Sequence, residues 1–170
     1  MPRSVSSKGY GMIYGIDIGL RNFGYAIYDP SLGEFVRTNC VVTLPCDDKS
    51  KIYAADDDIR RGREVAMALS GEFEQFPPSV FVSEGMSYPR SSTSSALMGI
   101  SVGILVTVAT MLGNLPIYTV SPQMIKISMT GKKTGTKDQV QGACLAVHPE
   151  LLSLVRPPAG VHEHQFDAAA

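Results

Sequence analysis

At 170 residues, with 44% hydrophobic and 18% charged residues, the chain has the make-up of one ordered globular domain and excludes a disordered protein. A formal net charge of −1 does not mark it as a nucleic-acid binder in bulk, so any grip on phosphate must come from a local strip. Residues 1–11 lack the apolar run of a secretory signal and are expected to be a disordered leader, ahead of a single domain over 12–170. Cys40, Cys46 and Cys144 form no CxxC pair and no even set, which argues against a disulfide framework or a zinc site. A cytoplasmic location is expected, or the host cytoplasm if the gene is viral.

In chain order, Met12 to Ile18 (MIYGIDI) is a short β-favouring run, Gly19 to Asn22 a turn, and Phe23 to Tyr28 a second strand. Asp29-Pro30-Ser31-Leu32-Gly33 is turn chemistry, and a third strand follows near Glu34 to Thr43. Three strands joined by tight turns predict an antiparallel meander. From Asp56 to Phe73, apolar residues at Ile59, Val65, Ala66, Leu69 and Phe73 approach helical spacing. Ser79 to Ser83 (SVFVS) reads as a buried strand, a long helix follows from about Thr93, and Leu115 to Val120 reads as another strand. Strand, helix, strand is the crossover unit of a parallel sheet. Gln123 to Met129 and a stretch from Thr136 to about His148 are further helices. The pattern predicts an α/β fold with a mixed sheet.

Ala96 to Gly113 is long enough to cross a bilayer at the short end of the range, and carries Gly99 and Gly103 in a GxxxG spacing. No basic cluster flanks it closely, and Ser101, Thr107 and Thr110 dilute it, so a helix buried in the fold is expected and no membrane partner. No residue between Ser91 and Ile125 is charged, whereas Lys126, Lys132, Lys133 and Lys137 follow against Asp138 alone. Such a strip suits phosphate.

Asp17 ends an apolar strand, where a buried carboxylate is costly without a partner. Alone it could equally cap its turn. Glu84 ends SVFVSE in the same way, although a glutamate at the solvated mouth of a sheet would look identical. In Glu163-His164-Gln165-Phe166-Asp167, helical spacing puts His164 and Asp167 on one face while Glu163 points elsewhere. Hard oxygen ligands with one imidazole suit Mg2+ or Mn2+, and two such ions could clamp a scissile phosphate.

Taken together, Tyr14 to Asp29 (YGIDIGLRNFGYAIYD), Pro78 to Glu84 (PSVFVSE), Gln123 to Lys126 (QMIK), Thr130 to Gln141 (TGKKTGTKDQVQ) and His164 to Asp167 (HQFD) resemble the motifs of the RuvC family of Holliday-junction resolvases. The likeness runs from about Met12 to Ala170. It implies a ribonuclease H-like fold, with a five-stranded mixed sheet and helices on both faces. It also implies a Mg2+-dependent endodeoxyribonuclease, with Mn2+ as a substitute and two ions per site, that hydrolyses four-way or other branched DNA as a homodimer. Asp17, Glu84, His164 and Asp167 would be the metal ligands, and Lys126 and Lys137 catalytic lysines near the cleaved strand. Lys132 and Lys133 would touch DNA phosphate, and Tyr88 and Arg90 stand in a segment where relatives carry a base-stacking aromatic.

Ile18 stands where the family often has proline, Phe23 where it has threonine, and His164 where many members have an acid. The chain ends three residues after Asp167 whereas relatives continue that helix, so either the chain is truncated or its end orders on packing and metal binding. Other readings are a flap, fork or hybrid nuclease of the same fold, an actin-like or sugar-kinase-type ATP-binding domain built on the D-x-G turn, and an inactive junction-binding module.

Overall fold

A computed structural model describes residues 11–48, 51–85, 91–155 and 162–170. The expected leader, apart from Gly11, lies outside the described residues, as do Tyr88 and Arg90.

The meander forms as β1 (Met12–Asp17), β2 (Asn22–Asp29) and β3 (Glu34–Val42), paired antiparallel. Then come α1 (Ala54–Ser70), β4 (Pro78–Glu84), α2 (Ser92–Met111) and β5 (Ile117–Val120). Both later strands join in parallel, so the sheet order is β3-β2-β1-β4-β5. The last elements are α3 (Pro122–Thr130), α4 (Lys137–Val147), the short α5 (Leu151–Leu154) and α6 (His162–Ala169). This is the expected mixed five-stranded sheet.

Alternation along the strands divides the sheet into two unlike faces. On one, Tyr14, Ile16, Tyr25, Ile27 and Phe81 are buried against Val65 and Leu69 of α1 and Leu105 and Ala109 of α2. On the other lie Gly15, Asp17, Gly24 and Ala26, and α6 packs there on β1 and β2. A smaller core of Cys144, Leu151 and Phe166 ties α4, α5 and α6 together.

Several boundaries differ from the sequence expectation for identifiable reasons. β5 begins at Ile117 rather than Leu115, because Pro116 has no N–H and its carbonyl accepts from Phe81 instead. α1 starts at Ala54 and stops at Ser70, where the N–H of Gly71 closes back on the Met67 carbonyl. α3 starts on Pro122 with the Ser121 side chain accepting from the Met124 N–H. α4 opens with a reciprocal capping box between Thr136 and Gln139.

Among the described residues α2 is the one helix long and apolar enough to cross a membrane. It is the crossover between two parallel strands of one sheet, but it is not buried all round as expected: of its 20 residues Ser101, Leu105 and Ala109 are buried, because only one stripe meets the sheet and α1. Its hydroxyls are satisfied internally, Ser101, Thr107 and Thr110 each donating to the carbonyl four residues back. By length and apolarity alone it is weak ground for a membrane span.

Candidate active site

Asp17 and Glu84 end neighbouring parallel strands. The β1–β4 register pairs Gly15 with Val82 and Ile16 with Ser83, so the next pair along is Asp17 beside Glu84, on one face. The two acids therefore stand side by side at the C-terminal ends of the central strands.

What brings the third acid to them is the near absence of side chains beneath α6. A Cβ on Gly15 would stand 1.9 Å from the Ala168 carbonyl oxygen, and one on Gly24 2.2 Å from that of His164. No other residue permits so close a seat. Gln165 fixes the register of the helix by accepting from the buried Thr38 hydroxyl at 2.9 Å.

So seated, α6 puts His164 Nδ1 2.6 Å from Asp17 Oδ2. Ligand atoms of Asp17, His164 and Asp167 all lie within 4.8 Å of one another. Lys137, the first residue of α4, reaches back to place Nζ 3.0 Å from Asp167 Oδ2 and 3.7 Å from Glu163 Oε2. A cavity of about 390 Å³ is lined by Asp17, Glu84, Lys126, Lys137, His164 and Asp167. An adjoining apolar hollow of about 250 Å³, with Val82, Met124 and Ile125 in its wall, shares Glu84 and Asp167.

The electrostatics follow from this crowding. Burial holds the Asp17 carboxyl above its ordinary value and the charge of Asp167 adds to this, against the hydrogen bond from His164 and the charge of Lys137. Glu84 is likewise raised, by burial first and then by the charges of Asp17 and Asp167. Lys137 is raised, chiefly by its hydrogen bond to Asp167. Two carboxyls that resist ionisation, facing a third, make a site that a divalent cation would relieve. The donor set of carboxylate oxygens and one imidazole fits Mg2+ or Mn2+.

Of the residues singled out in the sequence, Asp17, His164 and Asp167 come together tightly. Glu84 lines the same cavity outside that tight group. Lys126 and Lys137 face the cavity, whereas Lys132 and Lys133 are exposed on the turn between α3 and α4 and do not line it. Glu163 was expected to point elsewhere. It does not line the cavity, although its Oε1 comes within 3.9 Å of His164 Nε2 and its Oε2 within 3.7 Å of Lys137 Nζ. Sequence reasoning missed Asn22, whose Nδ2 lies 3.0 Å from His164 Nε2. Alternation did place Asn22 on the Gly24 face, but nothing in the sequence says that a helix lies above it.

No family model matches the chain. It is 27% identical over 146 residues to the crossover junction endodeoxyribonuclease RuvC of Prochlorococcus marinus strain MIT 9313, covering 86% of each chain. With the protein of the same name from Chlamydia abortus it shares 27% over 130 residues, 76% of this chain and 74% of that one. Among solved structures, Thermus thermophilus RuvC in complex with Holliday junction substrate superposes with a TM-score of 0.71. That match has 16% identity and covers 94% of this chain and 91% of the other. The yeast mitochondrial Holliday junction resolvase Ydc2 gives a TM-score of 0.59 at 13% identity, over 94% of this chain and 75% of its own.

Sheet order, the helices on both faces and the likeness to solved structures define a ribonuclease H-like fold, with acids at the ends of its central strands. Within that fold, the curated relatives that the chain resembles along most of its length are RuvC proteins, at 27% identity.

Proposed function

We propose that the chain is an endodeoxyribonuclease that hydrolyses phosphodiester bonds of four-way junctions and related branched DNA, with two Mg2+ ions per site and Mn2+ as a substitute. The observation that carries this reading is the convergence of Asp17, His164 and Asp167 within 4.8 Å in a cavity shared with Glu84 and two lysines.

Asp17, Glu84, His164 and Asp167 would hold the ions. Once bound, divalent cations supply Lewis-acid polarisation of the phosphate and activation of the attacking water. The water oxygen, giving up a proton to solvent, bonds to phosphorus as the bond to the 3′ oxygen breaks, and that oxygen takes up a proton, which leaves a 5′-phosphate and a 3′-hydroxyl at the nick. Lys126 and Lys137 neutralise charge developing on the phosphate oxygens, and Lys137 must leave Asp167 to do so. Lys132 and Lys133, exposed beside the site, suit backbone phosphates without reading sequence. For Tyr88 and Arg90, contact with DNA rests on the family likeness of their segment.

A homodimer suits the substrate, since a four-way junction has two-fold symmetry and two sites could nick opposing strands. The outer face of α2, with Val106 and Met111 exposed, is an apolar surface that suits it. Action in a reducing cytoplasm, that of a host if the gene is viral, agrees with Cys40, Cys46 and Cys144 all being free thiols.

The test is cleavage of a synthetic four-way junction beside a linear duplex, a flap and a hybrid of the same sequence. Wild-type protein with Mg2+ is expected to nick the junction in preference to the others. Asp17→Asn and Glu84→Gln are expected to lose at least about 100-fold in rate, as for loss of a metal-site ligand or its support. Metal-dependent nicking by both variants at the wild-type rate would remove this mechanism. Junction binding without cleavage by the wild type would leave a binding module.

A further inference from the structure

Asn22 opens β2 on the face that α6 covers, and its amide is within hydrogen-bond reach of the His164 ring. Nδ2 of Asn22 lies 3.0 Å from Nε2, while Nδ1 of the same ring lies 2.6 Å from Asp17 Oδ2. A carboxylate can only accept, so the Asp17 contact is served by a proton on Nδ1, whereas an amide can either donate to Nε2 or accept from it. Glu163, the other group near Nε2, is exposed and 3.9 Å away, beyond a hydrogen bond.

A cation shared by Asp17 and His164 needs a lone pair on the nitrogen that faces Asp17, which is Nδ1. The ring proton must then reside on Nε2, and Nε2 becomes a donor. An amide serves both states, because a half-turn about its last torsion exchanges donor for acceptor with almost no change of shape. A carboxylate or an aliphatic side chain cannot do this. Ligating imidazoles in general hand their second N–H to a fixed acceptor, which sets ring orientation and ligand strength.

We propose that Asn22 is a positioning residue for His164. Its amide pairs with Nε2 as donor or as acceptor, and so keeps Nδ1 aimed at Asp17, where a divalent cation would take the lone pair of that nitrogen. This rests on the nuclease reading for the identity of the ligand, but the pairing of Asn22 with the ring does not.

The chain has three histidines, so the ring nitrogen signals of 15N-labelled protein can be assigned with a His164→Gln control. In metal-free protein, Asn22→Ala is expected to shift the Nε2 signal of His164 through loss of its hydrogen bond, while the Nδ1 signal, held by Asp17, stays. By calorimetry with Mn2+, Asn22→Ala is expected to bind about 10- to 100-fold more weakly than wild type, with its circular dichroism spectrum unchanged. Should Asn22→Ala fail to fold, Asn22→Ser and the near-isosteric Asn22→Leu carry the test. An unmoved Nε2 signal, or Mn2+ affinity within about 2-fold of wild type, would overturn the assignment. Wild-type protein that binds no Mn2+ would overturn the nuclease reading and the ligand role of His164, while the Nε2 signal of metal-free protein would still decide the pairing.

Discussion

His164 Nδ1 and Asp17 Oδ2 meet at 2.6 Å although 147 residues separate them in the chain. That contact joins the last helix to the first strand, and it depends on α6 lying directly on the glycines of β1 and β2. The chemistry of the site and the packing of the terminal helix are therefore one feature.

Gly24→Ala should show this. Its new methyl would collide with the His164 carbonyl, so α6 must shift or the strand must bend. A loss of about 1–3 kcal/mol is expected from overpacking of this kind, together with loss of Mn2+ binding. The control is Gly142→Ala inside α4, where an added Cβ meets nothing within 4 Å, and which should stabilise by about 0.5–1 kcal/mol. Thermal melts with and without Mn2+ read both. Equal, small effects of the two substitutions would show that α6 is not held as described.

Lys137 is the cation nearest the acidic group in the metal-free protein, 3.0 Å from Asp167 Oδ2. Lys137→Gln removes a competitor for that carboxylate and also a charge that faces phosphate. Mn2+ affinity is expected to rise a few-fold while junction cleavage at saturating metal falls about 10- to 1,000-fold, the range for one transition-state electrostatic partner. Calorimetry and single-turnover nicking separate these two effects. A fall in both would mean that Lys137 only supports the fold of the site.

The pH dependence of stability has two opposing contributions with different owners. Asp57 accepts from the Cys46 N–H and from Arg60, and these bonds hold its carboxyl below its ordinary value of 3.8. A lowered folded value contributes stability that is fully present above the unfolded value and is lost as pH falls through the folded one. Asp57→Asn should thus destabilise at neutral pH, with the difference from wild type vanishing in strong acid. Asp17, raised by burial, has the opposite sign. Its penalty is absent below 3.8, sets in as pH rises toward the folded value, and is complete above that. Asp17→Asn, which can still accept from His164, should therefore raise the melting temperature of metal-free protein at neutral pH while removing the rise that Mg2+ gives the wild type.

The outer face of α2 has its own test. Val106→Asp places a charge on an exposed part of that face, 48% accessible in the single chain, and should leave the fold intact. Light scattering is expected to show a dimer for wild type and a monomer for the variant. A wild-type monomer at micromolar concentration would remove the two-fold arrangement from the account.

The sheet was legible in the sequence because strand alternation and turn chemistry are local. Asp29-Pro30 turns, the SVFVS run and the uncharged crossover helix each stand where local pattern puts them. The common face of Asp17 and Glu84 follows from each acid ending its strand one residue beyond the last buried residue of the core face, Ile16 or Ser83. Other features were not legible because they depend on distances between elements. Glu84 stands outside the tight group, Glu163 approaches Lys137, and Asn22 meets His164 only once α6 is seated. The glycines that permit this, Gly15 and Gly24, look in the sequence like ordinary breaks in a β run. The short helix α5 went unforeseen because it spans only Leu151–Leu154, too brief for any periodicity.

The most direct measurement is the anomalous difference density of crystals grown in Mn2+. The account predicts a peak bonded to Asp17 and Asp167, with His164 Nδ1 turned toward it and Lys137 drawn off Asp167. Crystals at saturating Mn2+ with no peak in the cavity, and with Lys137 still on Asp167, would contradict it.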